Sequence, residues 1–475
     1  MTRRELAASA AIAPVVAPLL PAAAAESRTG PQPNIVIVIS DQFRADVLGC
    51  MGLNPMHLTP NLDAMARRGV LFRQAMSSQP VCAPARATMF TGQYPAKHGV
   101  WKNGLGLKPD ALTLAGTLRQ HGYTANYIGK WHLSAETATD RKSGPVPMAS
   151  RGGFADFWEA SNALEMTSHP FEGDMFDGDG NPLHFSGEYR ADFLTDRAIR
   201  FMKEKRAKDR PFLLVVSYLE VHHQNDLDLF VPPKKYAETY KNPWVPQDLR
   251  PLPGNWPSQL PGYYGCVKGI DDAVGTLLAS LKEQGIDRDT IVLFTSDHGC
   301  HFRTRNAEYK RSPHESSIHI PLIVQGPGFD RAMEIPELIA QVDFAPTLLE
   351  AAGVAVPPSM QGRSALPLLS RKSDGARSDW RDEVYIEVSE SLTGRVLRTP
   401  EWTYAVAVPN RAASSPHYNE YLLYDRYADP YEHVNLAGRT EVREISGSLR
   451  SRLIERIVES GGPRPVIDPP FIPYV

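Results

Sequence analysis

Asn34-Ile35-Val36-Ile37-Val38-Ile39-Ser40-Asp41 sets five β-branched apolar residues in a row. A run with no polar face reads as a strand buried on both sides, and parallel sheets produce such strands. Similar runs recur at Phe212 to Ser217, Ile291 to Thr295 and Ile320 to Val324. Helical patterns precede several of them. Leu112 to His121 stops at Gly122 ahead of Tyr123 to Ile128, Asp192 to Lys205 precedes Phe212, and Ile270 to Gln284 stops at Gly285. This alternation predicts an α/β fold with a doubly wound, mostly parallel sheet. In such sheets the site lies beyond the carboxyl ends of the strands. Past about residue 370 the pattern changes. A charged stretch is followed by short strand-like pieces at Glu383 to Val388, Tyr404 to Val408 and Tyr421 to Tyr424, then a helix at Glu441 to Val458. The reading is a large domain over 30–370 and a small α+β domain over 380–475.

Charge narrows the partners. Lys and Arg number 51 against 54 Asp and Glu, a net charge of −3 in 475 residues. A nucleic-acid binder needs a clear basic excess, so nucleic acid is excluded as the expected partner. Four cysteines make no disulfide framework. At the N-terminus, Arg3-Arg4 precedes an apolar run from Ala7 to Ala25, and Ala23 and Ala25 offer a small-residue cleavage site. Residues 1–25 read as a signal peptide with a weak twin-arginine character. Pro14, Pro18 and Pro21 interrupt the run and argue against a retained membrane helix. No later stretch reaches the ~18 apolar residues of a span. The expectation is an exported protein, periplasmic or secreted.

The residues just after the strands carry the chemistry. Asp41-Gln42 follows the first strand, and Asp297-His298-Gly299 follows the one at Ile291. Carboxylate, amide and imidazole at two strand ends suit one divalent cation. In Pro80-Val81-Cys82-Ala83-Pro84-Ala85-Arg86, Pro84 looks like a first-turn helix proline. Cys82 then sits just before a helix, where free N–H groups favour negative charge, and Arg86, one turn on, is expected to reach back toward position 82 and complete an anion site there.

Cys82-Ala83-Pro84-Ala85-Arg86 resembles the C-x-P-x-R signature of the type I sulfatases. Thr91-Gly92-Gln93-Tyr94-Pro95, His98-Gly99-Val100, Gly129-Lys130-Trp131-His132 and Ser296-Asp297-His298-Gly299 resemble that family too, in order, and the likeness runs from about Asn34 to Ala437. The resemblance implies an alkaline-phosphatase-like mixed, mostly parallel sheet between helices, with a smaller C-terminal antiparallel-sheet domain. It implies that a formylglycine-generating enzyme oxidises Cys82 to formylglycine, whose hydrate attacks sulfur beside a divalent cation and then expels sulfate. It implies Asp41, Gln42, position 82, Asp297 and His298 as metal residues. Lys130 and His132 then contact the sulfate and the formylglycine hydroxyls, with His132 as base for elimination. His222 and Lys310 become candidates for protonating the leaving group, and Asn103 a neighbour of metal or sulfate.

Gln42 and His298 depart from the Asp-Asp and Asp-Asn common in the family. Calcium is the expected cation, with manganese or zinc suited by the added imidazole. The same pair resembles phosphonate monoester hydrolases and choline sulfatases. A phosphonate monoester or phosphodiester hydrolase therefore stays open, as does a non-catalytic carbohydrate-binding relative with unconverted Cys82. The basic loop His301 to His314 offers Arg303 and Arg305, and His222-His223-Gln224-Asn225 offers His223, for a sulfated small molecule or oligosaccharide. Trp101, Trp131, Trp244 and Tyr309 are candidates for stacking on sugar rings.

Overall fold

The computed structural model describes residues 32–136, 144–370 and 379–470. The predicted signal segment lies outside the described residues. Among them, no helix is long and apolar enough to cross a membrane.

The run that opened the sequence reading forms β1, Asn34–Ser40. It lies at the centre of a 12-stranded sheet, parallel to Thr290–Thr295 on one side and to Phe212–Tyr218 on the other. β2 is Val70–Met76, and β3, Thr124–Lys130, extends the parallel block beyond Phe212–Tyr218, followed by β4, Phe157–Ser161. The register aligns Ser40 with Tyr218, Ile39 with Thr295 and Gly129 with Ser217. The carboxyl ends of these strands therefore finish level, and the chain leaves β1 where its neighbours come from distant sequence. That is the place where doubly wound sheets bind ligands.

Two apolar cores cover the faces of this sheet. One packs Val36, Val38, Leu214 and Val216 against the helix Trp256–Glu283, and the other packs Ile35, Ile37, Leu213 and Val215 against the helices Cys82–Thr91 and Phe344–Ala351. Alternate residues of one strand feed opposite layers, so every residue of Phe212–Tyr218 is buried. Leu322–Gln325 is antiparallel to its neighbours, as a hairpin return allows, so the sheet is mixed.

A second, 5-stranded sheet follows: Val384–Val388, Thr393–Arg398, Trp402–Val408, His417–Asp425 and Val466–Asp468. The first four are antiparallel and the last is parallel. The helix Arg443–Glu459 packs on one face through Leu449, Leu453 and Ile457.

Candidate functional site

Cys82 opens the helix Cys82–Thr91, with Val81 as its N-cap residue. The sequence placed Cys82 just before the helix. The Ala85 N–H already bonds the Val81 carbonyl at 3.0 Å, so the first turn includes Cys82 and sets Pro84 third. Proline is harmless there because its missing N–H has no intrahelical partner to lose. The acceptor for the Ala83 N–H comes from elsewhere in the chain: Asn103 Oδ1, at 3.0 Å. Every residue of the helix Cys82–Thr91 is buried, and Cys82 is 1% exposed.

Around Cys82 Sγ the strand ends converge. Lys310 Nζ lies 2.9 Å away, His298 Nε2 3.4 Å, Lys130 Nζ 3.8 Å and Asp41 Oδ1 3.9 Å. Despite burial and the Asp41 charge, Lys130, Lys310 and His298 hold the thiol well below its ordinary range. Lys310 also donates to His222 Nε2 at 3.2 Å and approaches His298 Nε2 at 3.0 Å. Each histidine turns its Nδ1 to a backbone carbonyl, His222 to His223 and His298 to Gly299, at 2.6 and 3.0 Å. An Nδ1–H donated there leaves each Nε2 a lone pair aimed inward. Burial and the neighbouring Lys310 charge push the His222 imidazole well below its usual range. His222 is therefore the neutral partner in this contact.

Arg86 does not turn back onto Cys82. Its guanidinium donates to Asp297 Oδ2 at 3.2 Å, Asp41 Oδ2 at 3.1 Å, the Lys130 carbonyl at 3.0 Å and Ser217 Oγ at 2.7 Å. It locks four strand ends together. Lys130 Nζ donates to Asp41 Oδ2 at 2.8 Å and to Glu165 Oε1 at 3.0 Å. Although burial alone favours a neutral amine, Asp41, Cys82 and Glu165 hold the Lys130 ammonium above its ordinary range.

Asp41, Cys82, Asp297 and His298 form a buried cluster whose ligand atoms lie within 4.8 Å of one another. Burial and the nearby Asp41 charge push Asp297 above the usual carboxylate range. Burial acts on Asp41 in the same sense, but Lys130, His222, Lys310 and Arg86 hold it well below that range. Gln42 sits at φ 66°, and its buried Oε1 has no hydrogen-bond partner among the described residues. Two carboxylates, an orphaned amide oxygen and an imidazole lone pair fit a divalent cation.

Beside this cluster lies a cleft of about 520 Å³ lined by Trp101, Asn103, His132, Glu165, Asn225 and Arg311 among others. His132 is buried at φ 61°, and its Nδ1 has no partner among the described residues. His223 stacks on His222 with centroids 4.5 Å apart and meets the Tyr309 ring at 4.2 Å. Burial, Lys310 and Arg303 bring His223 down to about 4. Lys310 is the residue of the basic loop that reaches Cys82, whereas Arg303 and Arg305 are spent elsewhere. Arg303 pairs with Asp228 and covers Tyr309, while Arg305 donates to the Glu432 and Tyr431 carbonyls. Trp131 is fully buried in an aromatic cluster with Phe90, Tyr127 and Trp158. Trp244 lines a different cavity, of about 400 Å³, whose lining includes none of the Cys82 cluster.

Glu165 was not singled out in the sequence. It follows β4, whose Phe157-Trp158-Glu159-Ala160-Ser161 breaks the apolar run at Glu159 and hides the strand. Recognising β4 as the neighbour of β3 would have pointed to its carboxyl end.

A family profile described as Sulfatase matches residues 33–354, and one described as the C-terminal part of N-sulphoglucosamine sulphohydrolase matches 308–459. An ulvan-active sulfatase of Formosa agariphila is 30% identical over 447 residues, covering 90% of this chain and 82% of that protein. A solved structure in complex with its substrate D-glucosamine-2-N,6-O-disulfate superposes with a TM-score of 0.73 at 24% identity, over 90% of this chain and 98% of that one. The phosphonate monoester hydrolase of Agrobacterium radiobacter gives a TM-score of 0.65 at 22% identity, over 90% and 96%.

Proposed function

Because this chain belongs to the sulfatase family and is a sulfuric ester hydrolase, we propose that it removes sulfate from a sulfated carbohydrate, using a formylglycine made from Cys82 and a divalent cation. The observation that carries this reading is the convergence of Lys310, His298, Lys130 and Asp41 on the buried Cys82 Sγ. The aldehyde hydrate at position 82 would supply the nucleophilic hydroxyl. A cation held by Asp41, Gln42, Asp297 and His298 would supply positive charge beside that hydroxyl and a sulfate oxygen. Calcium fits the carboxylates, and manganese fits the imidazole as well.

The protein groups divide the remaining work. Arg86 holds Asp41 and Asp297 in place against their mutual repulsion. Lys130 and Lys310 present ammonium hydrogens from two sides to the oxygens of a bound sulfate. Lys310 touches neutral His222, so the proton for the departing sugar oxygen passes from this pair. His132 lines the cleft with an unengaged ring nitrogen and is placed to take a proton as sulfate is released. Asn103 holds the helix end and borders the cleft. The ulvan-active relative and the neighbour bound to a glucosamine disulfate support a carbohydrate substrate.

The phosphonate monoester hydrolase reading is favoured by one observation, His298 in the buried cluster with the unpartnered Gln42 Oε1 at the end of β1, and by likeness to a solved enzyme of that class. Export to the periplasm or beyond after loss of residues 1–25 belongs to the same proposal, and so does division into a catalytic part over 30–370 and a small sheet part over 380–475. To test it, protein co-produced with a formylglycine-generating enzyme is analysed by peptide mass across Cys82. It is then assayed on 4-nitrophenyl sulfate, bis(4-nitrophenyl) phosphate and sulfated oligosaccharides. Conversion at Cys82 with sulfate release is expected. A faster phosphodiester reaction would favour the second reading, and an unmodified thiol with carbohydrate binding alone would mean a non-catalytic relative.

A further inference from the structure

Glu165 is a carboxylate where a sulfate site should not want one. It sits on the short helix Leu164–Thr167, just beyond the carboxyl end of β4, and the register pairs Lys130 of β3 with Ser161 of β4. This places the two residues side by side. Its Oε1 accepts from Lys130 Nζ at 3.0 Å. Its Oε2 has no hydrogen-bond partner among the described residues, although the residue is only 9% exposed. A buried carboxylate oxygen without a partner is costly, so its persistence calls for a donor from outside the protein. The side chain lines the cleft of about 520 Å³ with His132 and Asn103, so the donor arrives with the substrate.

The surroundings say which kind of donor. The cleft is not a basic wall that would read a second anion: Glu136, Glu165, Glu308 and Glu390 line it against Lys102, Arg311 and Arg411. Arg311, on its rim, is tied to Glu308 at 2.7 Å and to Glu390 at 2.6 Å. Arg303 and Arg305 are engaged away from the cleft. Lys102 lies over the Trp101 ring at 5.1 Å, and Lys130 and Lys310 face position 82. An anionic substituent beside the ester would meet the Glu165 carboxylate on a wall where carboxylates outnumber cations, while Lys130 is directed to position 82.

We propose that Glu165 Oε2 accepts a hydrogen bond from a hydroxyl or ammonium group next to the sulfate-bearing carbon, and that it excludes substrates carrying a second sulfate or a carboxylate there. This deepens the sulfatase reading and rests on it. Glu165 binds substrate with one oxygen and orients Lys130 with the other. Glutamine keeps the acceptor for Lys130 and replaces the second oxygen with an N–H donor, so Glu165→Gln inverts the preference.

The test compares wild type, Glu165→Gln and Glu165→Asp, each with its Cys82 conversion quantified. The substrates are 4-nitrophenyl sulfate and two derivatives bearing an aminomethyl or a carboxylate group ortho to the ester. The readout is the ratio of kcat/KM for the aminomethyl ester to that for the carboxylate ester. Taking this ratio within one enzyme and comparing it between enzymes cancels intrinsic reactivity and any uniform loss from a displaced Lys130. The ratio is expected to fall at least about tenfold in Glu165→Gln, the scale of one charge-assisted hydrogen bond, and to stay on the wild-type side in Glu165→Asp. An unchanged ratio in Glu165→Gln overturns the inference while leaving the sulfatase reading intact. No turnover of any of the three esters by converted wild type overturns the sulfatase reading and this inference with it.

Discussion

Arg86 carries more of the site than its position in a five-residue motif suggests. Its four hydrogen bonds tie Asp41, Asp297, the Lys130 carbonyl and Ser217 into one buried assembly with no exposed side-chain surface at Arg86, Asp41 or Asp297. Removing one partner of a buried ion pair leaves the others uncompensated. Arg86→Leu is therefore expected to lower the unfolding free energy by about 3–5 kcal/mol, read from urea midpoints, and to abolish turnover. A variant with wild-type stability would show that the two aspartates do not need the guanidinium. At this scale the sequence was informative where a residue type is chemically necessary and its spacing is short. Cys82, Arg86, Lys130 and His298 belong to that group, and the structure gathers them. Arg303 and Arg305 looked the same on paper, but their partners are Asp228 and the carbonyls of Tyr431 and Glu432. Nothing local announces such distant contacts.

Strands show what a short motif means mechanically. Gly129, inside β3, takes φ 100°, and a Cβ there would lie 2.1 Å from the Ser217 carbonyl oxygen of the adjacent strand. The glycine in Gly129-Lys130-Trp131-His132 is thus a matter of strand spacing, one residue before the lysine. Gly129→Ala is expected to push the two strands apart, cost roughly 1–3 kcal/mol, and reduce kcat far more than a comparable lesion in the distant sheet. Thermal unfolding and steady-state kinetics together check this, and an alanine variant with unchanged Tm and kcat would refute it. Elements buried on both faces were readable: β1 and Phe212–Tyr218 are continuous apolar runs. β2 was missed because Arg73 and Gln74 interrupt it, and Met333–Ala340 because Pro336 and Glu337 do. The helix Trp256–Glu283 begins earlier than its apolar pattern, which Pro257, Pro261 and Gly262 obscure. Gly262 is there because the Phe230 carbonyl would sit 2.2 Å from a Cβ.

Across the whole molecule, the two sheets meet through charge as well as through apolar contact. Glu315, from the segment after the basic loop, pairs with Arg426 at 2.9 Å and Arg398 at 3.5 Å, both from the smaller sheet and its edge, and with His319 at 2.9 Å. Burial opposes its ionisation, yet Arg426, Arg398 and His319 hold the carboxyl well below its ordinary range. A carboxyl depressed in the folded state adds stability that is fully present above its unfolded pKa of about 4.3. That contribution is lost as the pH falls toward the folded value. Urea midpoints measured at several pH values below about 5 should therefore drop more steeply for wild type than for Glu315→Gln. Equal slopes would remove Glu315 from the account.

The burial of Cys82 has a consequence in time. With 1% of its surface exposed at the head of a wholly buried helix, its sulfur is beyond the reach of any modifying enzyme in the finished fold. On the formylglycine proposal, conversion at this position would have to be done while the chain is still open, before the strands between residues 34 and 295 have closed over it. Folding acts as a deadline: a molecule that folds first is shut off with its thiol intact. The fraction of active molecules in a preparation would record a race between two rates during synthesis rather than an equilibrium of the folded protein.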